Sequence, residues 1–377
     1  MAAADRDGRR PARVLWVVDH TQNTIGNFVG LAELLPHIDR RRFEPLAVVP
    51  AAGASSAALA AHAIRVLQRP IVPSGWTLNY LRAALAFCRL LLRERIDLLY
   101  IADHARWRPA DLLAARWLRV PVVVHLRAIP DPGRVLDPSL RDAQAIIGNS
   151  LATLHPLRGR VPDGRLHLVY TCVDFDRFAA PTNEPLDFFP SAMPIVGFVG
   201  MFRPEKGVRE FIDVARRLRE ARPDLRFLAV GGDPAGATRH YEREMRQYAV
   251  EHGLADVMHF TGTRTDIAAL MRRMDVLVVP SHTEGFGRVL IEANAVGRAV
   301  VASAVGAIPE VVEDGITGVL VPAGDTAVMA TAVLRVLDDP AWRAAVAAQA
   351  PARVRARFSP TTQVPALEAV WQHVLTA

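Results

Sequence analysis

Lysine is all but missing from this chain: of 45 basic side chains, one, Lys206, is lysine and the rest are arginine. Where arginine serves everywhere else, a lone lysine suggests a site that wants a compact point charge on a flexible stem rather than a planar fork. Cysteine is nearly as scarce. Cys88 and Cys172 form neither a disulfide framework nor a metal-binding spacing, which suits a reducing compartment. No uncharged apolar run approaches the roughly 20 residues that a membrane-spanning helix needs. The run Val14 to Val18 is too short for the core of a secretory signal, and residues 1–13 before it carry both charge signs. These absences lead to the expectation of a cytoplasmic protein. No G-x-G-x-x-G follows any apolar run, which argues against a dinucleotide dehydrogenase.

What is present fits a soluble α/β protein. A length of 377 residues suits two domains, and 51% apolar content fills two cores. The net charge of +6 is uneven. Residues 1–185 hold 24 Arg against 17 acids, whereas residues 186–377 are close to neutral. A basic first half could meet phosphates, acidic glycans or the anionic inner face of a membrane, or be no more than a solvated arginine-rich surface.

Short apolar runs alternate with helical patterns, the signature of parallel-sheet folding. In the first half the predicted strands are Val14–Val18, Leu46–Val49, Leu98–Ile101, Val120–Val124 and Ala145–Ile147, with helix-like segments at Gly30–Leu35 and Leu78–Leu92. In the second they are Ile195–Val199, Phe227–Val230, Val257–Phe260, Val276–Val279, Ala299–Ala302 and Val319–Val321, with helices over Val208–Glu220 and Ala237–Glu251. The proline-rich stretch Ala180–Met193 reads as a linker. The predicted domains are therefore 1–185 and 186–358, with a last helix over 359–377 that returns toward the first. In the segment Trp76–Arg95, Leu78, Leu81, Leu85, Cys88 and Leu92 make a stripe that predicts packing on a sheet. Arg82, Arg89, Arg93 and Arg95 suggest the competing reading, a face toward anionic lipid.

Two segments carry the chemistry. Pro280-Ser-His-Thr-Glu284-Gly285-Phe286-Gly287 follows a predicted strand and opens a helix, with Glu292 two turns along it. The glycines let backbone N–H groups approach an anion at a helix N-terminus, and Glu292 can accept from sugar hydroxyls. Gly197-Phe-Val-Gly200-Met-Phe-Arg203-Pro-Glu-Lys206-Gly207 likewise joins a strand to a helix. Arg203 and Lys206 there would offset the charge that builds on a departing diphosphate.

Together with Gly306-Ala-Ile-Pro309-Glu310 and Asp314-Gly-Ile-Thr-Gly318, these segments resemble the retaining glycosyltransferases of family 4. The resemblance is dense from Gly197 to Asp325 and thinner in the first half, at Gly148-Asn-Ser150 and Val169 to Phe178. It implies the GT-B fold, two Rossmann-like doubly wound domains facing across a cleft. It implies transfer of a sugar from a nucleotide-sugar donor, with UDP or GDP as the base-bearing part, to a glycan or lipid-linked acceptor hydroxyl. No cofactor or metal is expected, and no nucleic acid partner.

Carried over residue by residue, the resemblance gives catalytic roles to His125, Arg203, Lys206 and Glu284. Donor binding falls to Gly26, Gly232, Thr261, Gly262, Arg264, Gly285, Phe286, Gly287 and Glu292. Arg127, beside His125, could meet an anionic acceptor. The sequence departs from the family pattern at Arg298, Ala307 and Thr171-Cys172, and its first-strand loop has one glycine, Gly26. Asp174-Phe-Asp176 spells the metal-binding triplet of a different transferase fold, but it falls at the domain exit, and Arg203 with Lys206 already supplies positive charge. A nucleotide-sugar epimerase and a non-catalytic sugar-binding module remain the alternatives that fold alone does not separate.

Overall fold

A computed structural model describes residues 10–18, 30, 32–69, 78–102, 109–130, 138–179, 188–190, 193–232 and 239–377. The chain divides into two compact units: Met1–Cys172 with Pro360–Ala377, and Val173–Ser359. The division falls before the proline-rich stretch because residues just past Cys172 already belong to the second core. Val173 N–H donates to Phe358 O at 3.0 Å, and Phe175 and Phe178 are buried. Both passages of the chain between units thus sit side by side.

The first unit holds seven parallel strands: β1 (Ala12–Val17), β2 (Phe43–Val49), β3 (Arg65–Gln68), β4 (Leu98–Ala102), β5 (Val122–Leu126), β6 (Ala145–Gly148) and β7 (Leu166–Leu168). Their order across the sheet is β3-β2-β1-β4-β5-β6-β7. The five runs expected from apolar content all became strands. β3 and β7 were not anticipated because they are edge strands, half exposed, with no continuous apolar run to announce them. The segment Gly30–Leu35 ends in a single 3₁₀ turn, Leu35–His37, set by Pro36.

Both faces of this sheet are covered. On one lie helices Leu78–Glu94 and Pro109–Leu118, through Phe87, Leu91, Ala114 and Ala115. The other takes the last helix, Pro360–Thr376, through Val364, Leu367 and Trp371. Trp371 meets Trp16, Phe43 and Tyr100 with ring centroids 5.3–5.8 Å apart. Polar ties hold the helix in register. The Glu368 carboxylate accepts from Asp39 N–H at 2.7 Å and from Arg42 at 3.2 Å, and Gln363 accepts from Tyr170 N–H at 2.9 Å.

The helix Leu78–Glu94 corrects the sequence reading. Of the five residues taken as its buried stripe, only Cys88 is buried; Leu78, Leu81, Leu85 and Leu92 are exposed. The packed face is Ala83, Ala84, Phe87 and Leu91. The helix has two apolar arcs, and three- and four-residue spacing fits both. The arc with small residues went inside because it lets a neighbouring helix come close, with Cys88 Sγ 3.9 Å from Ala114 O.

The second unit holds six parallel strands: β8 (Ile195–Val199), β9 (Arg226–Val230), β10 (Met258–Gly262), β11 (Val276–Val279), β12 (Ala299–Ser303) and β13 (Gly318–Val321), in the order β10-β9-β8-β11-β12-β13. All six were legible in the sequence within two residues. Helices Val208–Ala221, Arg239–Glu251 and Thr326–Asp338 pack on it through Phe211, Met245, Met329 and Val333.

Candidate active site

In a parallel sheet every strand ends on the same edge, so the loops after β8 to β12 gather there. Main-chain bonds stitch them together. Gly200 N–H donates to Val230 O and Phe202 N–H to Gly232 O, tying the loop after β8 to that after β9. Gly231 N–H donates to Gly262 O at the end of β10, His282 N–H to Glu205 O, and Ala307 N–H to Glu284 O. Two of these crossings demand glycine. Gly231 has φ +135°, and a Cβ there would fall 1.8 Å from Gly200 O. Gly306 has φ +52°, and its Cβ would meet Glu284 O at 2.1 Å. Side chains are excluded where the loops touch.

The chain leaves β8 toward β9 on one side and returns through β11 on the other. This reversal opens a crevice at the strand ends, the usual ligand position in such sheets. The loops after β8 and β11 flank it, and each contributes one partner to an ion pair. Lys206 Nζ lies 2.7 Å from Glu284 Oε2. Lys206 ends a 3₁₀ turn, Pro204–Lys206, and its side chain is 24% exposed against 11% for Glu284. The pair is thus shielded yet still reachable. Arg203, the residue before that turn, is 39% exposed, and its nearest carboxylate is Glu205 at 4.0 Å. Its buried Nε has no hydrogen-bond partner among the described residues. A guanidinium so placed has donors to give to an anion.

On the other loop, Gly287 turns with φ +85° into helix Arg288–Ala295, which has no side-chain cap. The positive end of that helix therefore faces the crevice side of the loop. Glu292 is the fifth residue of this helix, nearer its start than the two turns expected, because the helix begins at Arg288. Arg288 Nε donates to Glu292 Oε1 at 2.6 Å, with both side chains largely shielded. Sequence reading missed Arg288; the four-residue spacing from Glu292 was its only signal. Phe286 turns its ring inward, 5.6 Å from that of Phe358, so its backbone is what it presents to the loop.

The remaining donor candidates cluster at the ends of β9 and β10. A Cβ on Gly232 would stand 3.2 Å from Glu242 and 3.4 Å from Thr263, so the backbone is crowded there. Thr261 Oγ1 donates to Gly262 O at 2.8 Å. Arg264 is held by both carboxylate oxygens of Asp266, at 2.8 and 2.6 Å. Asp266, a partner the sequence did not announce, fixes where that guanidinium points.

In the first unit His125 lies inside β5, not past its end, and is fully buried. Its Nδ1 is 2.5 Å from Tyr100 Oη. Burial pushes the Tyr100 phenol far above its ordinary pKa, so it keeps its proton. The phenol and the imidazole thus share one hydrogen bond, whose donor is set by the tautomer of His125. Arg127 is buried too; its Nη2 donates to Thr171 Oγ1 at 3.3 Å, and its carbonyl accepts from Asn149. Ser150 caps the helix Leu151–Leu154 by accepting from Thr153 N–H. Gly26 lies outside the described residues. Asp174 accepts from Asp176 N–H where the helix Phe175–Ala179 begins, and Asp176 pairs with Arg355 at 3.2 Å.

Two family models match, one for each sheet. The model described as glycosyl transferases group 1 covers residues 193–339, and that described as glycosyltransferase family 4 covers 28–177. The chain belongs to the family 4-like glycosyltransferases. Among curated relatives of this glycosyltransferase, the lipopolysaccharide core biosynthesis mannosyltransferase LpsB of Rhizobium meliloti is 33% identical over 210 residues, 54% of this chain and 59% of that protein. The D-inositol 3-phosphate glycosyltransferase of Mycobacteroides abscessus is 40% identical over 174 residues, 45% of this chain and 38% of that protein. The chain thus spans about 40 to 60% of the length of these two curated relatives. Among solved structures, Anabaena HepE in complex with UDP and glucose aligns with a TM-score of 0.81 at 25% identity, over 95% of this chain and 99% of that one. A glycosyltransferase from Rickettsia africae shares the fold, with a TM-score of 0.84 at 18% identity over 97% of this chain and 99% of that one. The fold of the glycosyltransferase is GT-B.

Proposed function

We propose that this glycosyltransferase moves a sugar from a nucleoside-diphosphate sugar, UDP-linked or GDP-linked, to an acceptor hydroxyl, with retention of anomeric configuration and without a metal ion. The observation that carries the reading is the shielded Lys206–Glu284 pair at the crevice of the second sheet, 2.7 Å apart, with Arg203 beside it. An arriving diphosphate gives Lys206 and Arg203 a doubly charged partner. Glu284, relieved of Lys206, is then free to accept from hydroxyls of the transferred sugar. Glu292, oriented by Arg288, takes the ribose hydroxyls. UDP is favoured by the HepE complex, whose crystals hold UDP and glucose.

Bond breaking between the anomeric carbon and the diphosphate oxygen puts the electron pair on that oxygen. Two fixed cations stabilise that charge more in the transition state than before it, which is where catalysis is gained. The acceptor attacks the same face, and its proton passes to the departing phosphate oxygen. Cations already in place fill the neutralising role that a divalent ion has in other transferases. The acceptor would be a glycan or a lipid-linked sugar, in the synthesis of a cell-envelope polysaccharide or glycolipid in the cytoplasm. Among the described residues no helix is long and apolar enough to cross a membrane, so a lipid-borne acceptor would be met from outside the bilayer.

Lys206→Ala tests the reading. Loss of roughly 3 kcal/mol of transition-state stabilisation should lower kcat about a hundredfold or more with UDP-glucose or GDP-mannose as donor. Near-normal turnover would remove Lys206 from the mechanism.

A further inference from the structure

The four leucines that the sequence pattern assigned to the core stand on the surface of the first unit: Leu78 is 65% exposed, Leu81 41%, Leu85 49% and Leu92 63%. At 100° per residue they fall within a single 60° arc of helix Leu78–Glu94. The next 60° of the same helix carries Arg89, Arg82 and Arg93, all exposed. An apolar line and a cationic line therefore run side by side along the helix. The only acid in the helix, Glu94, is buried and shared between Arg65 at 2.7 Å and Arg93 at 3.5 Å, which leaves Arg82 and Arg89 without a carboxylate from their own helix. The neighbouring helix Pro109–Leu118, which packs beside it through Cys88 and Ala114, adds Trp117, 48% exposed, and Arg116, which stands 3.6 Å from Asp142.

We propose that this face docks the protein on an anionic lipid surface, with the leucines entering the interfacial layer and the arginines at the level of the lipid phosphates. Exposed apolar lines of this size cost solubility unless something covers them. The charge pattern selects the occupant. A symmetric pairing of two copies would set Arg82 and Arg89 against their own counterparts, with the one acid of their helix, Glu94, already buried and engaged by Arg65 and Arg93. An anionic bilayer supplies both an apolar interior and phosphates at the right depth. The helix lies along such a surface rather than across it. The partner inferred here concerns the first unit alone, so it stands or falls separately from the donor site.

Vesicle flotation of the full chain provides the test. Vesicles of phosphatidylcholine alone are compared with vesicles holding about one quarter phosphatidylglycerol, at low salt and at about 0.5 M salt. The protein should float with the anionic vesicles at least tenfold better than with the neutral ones, and added salt should reverse most of that gain. Replacing Arg82, Arg89 and Arg93 together by Ser should lower partitioning roughly a hundredfold, from a factor of about five for each cation. Leu81→Ser, Leu85→Ser and Leu92→Ser combined should lower it at least as much, with circular dichroism and UDP-induced thermal stabilisation unchanged. Equal binding to neutral vesicles, or full anionic binding by the leucine variant, would overturn the proposal. So would a parent protein that ignores vesicles but forms dimers lost in the leucine variant, since the face would then serve a second copy.

Discussion

Gly231 shows how closely the crevice is fitted at the scale of one residue. Its φ of +135° is a conformation that side-chain-bearing residues rarely adopt, and the carbonyl of Gly200 fills the place of a Cβ. Gly231→Ala should therefore strain the backbone and push the loop after β8 away, costing about 3 kcal/mol. Thermal melting should fall by roughly 10 °C, taking 2–4 °C for each kcal/mol in a unit of this size. An unchanged midpoint would mean that the two loops are less tightly joined than the geometry requires. The same scale marks the limit of sequence reading. Lys206, Glu284 and Glu292 could be named beforehand because they stand at set distances from strands and glycines. Their partners could not. Asp266 and Arg288 act by holding Arg264 and Glu292 still, and such positions carry no spacing of their own beyond what any helix or turn allows.

Among elements, the last helix is the clearest case of a piece that its sheet cannot do without. Trp371 is wholly buried against three aromatic rings of β1, β2 and β4. Trp371→Ala should cost the first unit about 3–5 kcal/mol through lost burial and the cavity left behind. Hydrogen exchange would report it: amides of β1 and β4 should lose protection while those of β8 and β11 keep theirs. Equal loss in both sheets would contradict the assignment of this helix to the first unit. Elements also divide according to how plainly the sequence announces them. Buried parallel strands, largely apolar, were legible to within two or three residues at their ends. Edge strands β3 and β7 were not, since half-exposed strands of three or four residues look like loops. The helix Leu78–Glu94 was legible as a helix but not in its orientation, because periodicity reports a face and not which of two apolar faces goes inward.

For the whole molecule, one half-buried histidine in each unit links stability to pH. Burial lowers the pKa of His167, aided by nearby His373, and of His259, aided by Arg246, from the ordinary 6.5. The unfolded chain takes up protons near pH 6.5 while the folded imidazoles resist, so their stabilising contribution is present above that pH and lost as pH falls below it. Melting temperature should drop between pH 7.5 and 5.5, and His167→Gln with His259→Gln should flatten the decline. A decline of equal slope in that double variant would place the acid sensitivity elsewhere. The two-sheet plan itself was readable from alternating runs, but the parting of the chain was not. Proline content marks a stretch near residue 185, whereas cohesion is decided by what Val173 to Phe178 bury. That parting also sets an order of events during synthesis. The second unit is one continuous stretch and has all its parts by Ser359. The first, though begun earlier, must keep Trp16, Phe43 and Tyr100 waiting on an open sheet face until Trp371 emerges, so the half that starts first is the half that finishes last.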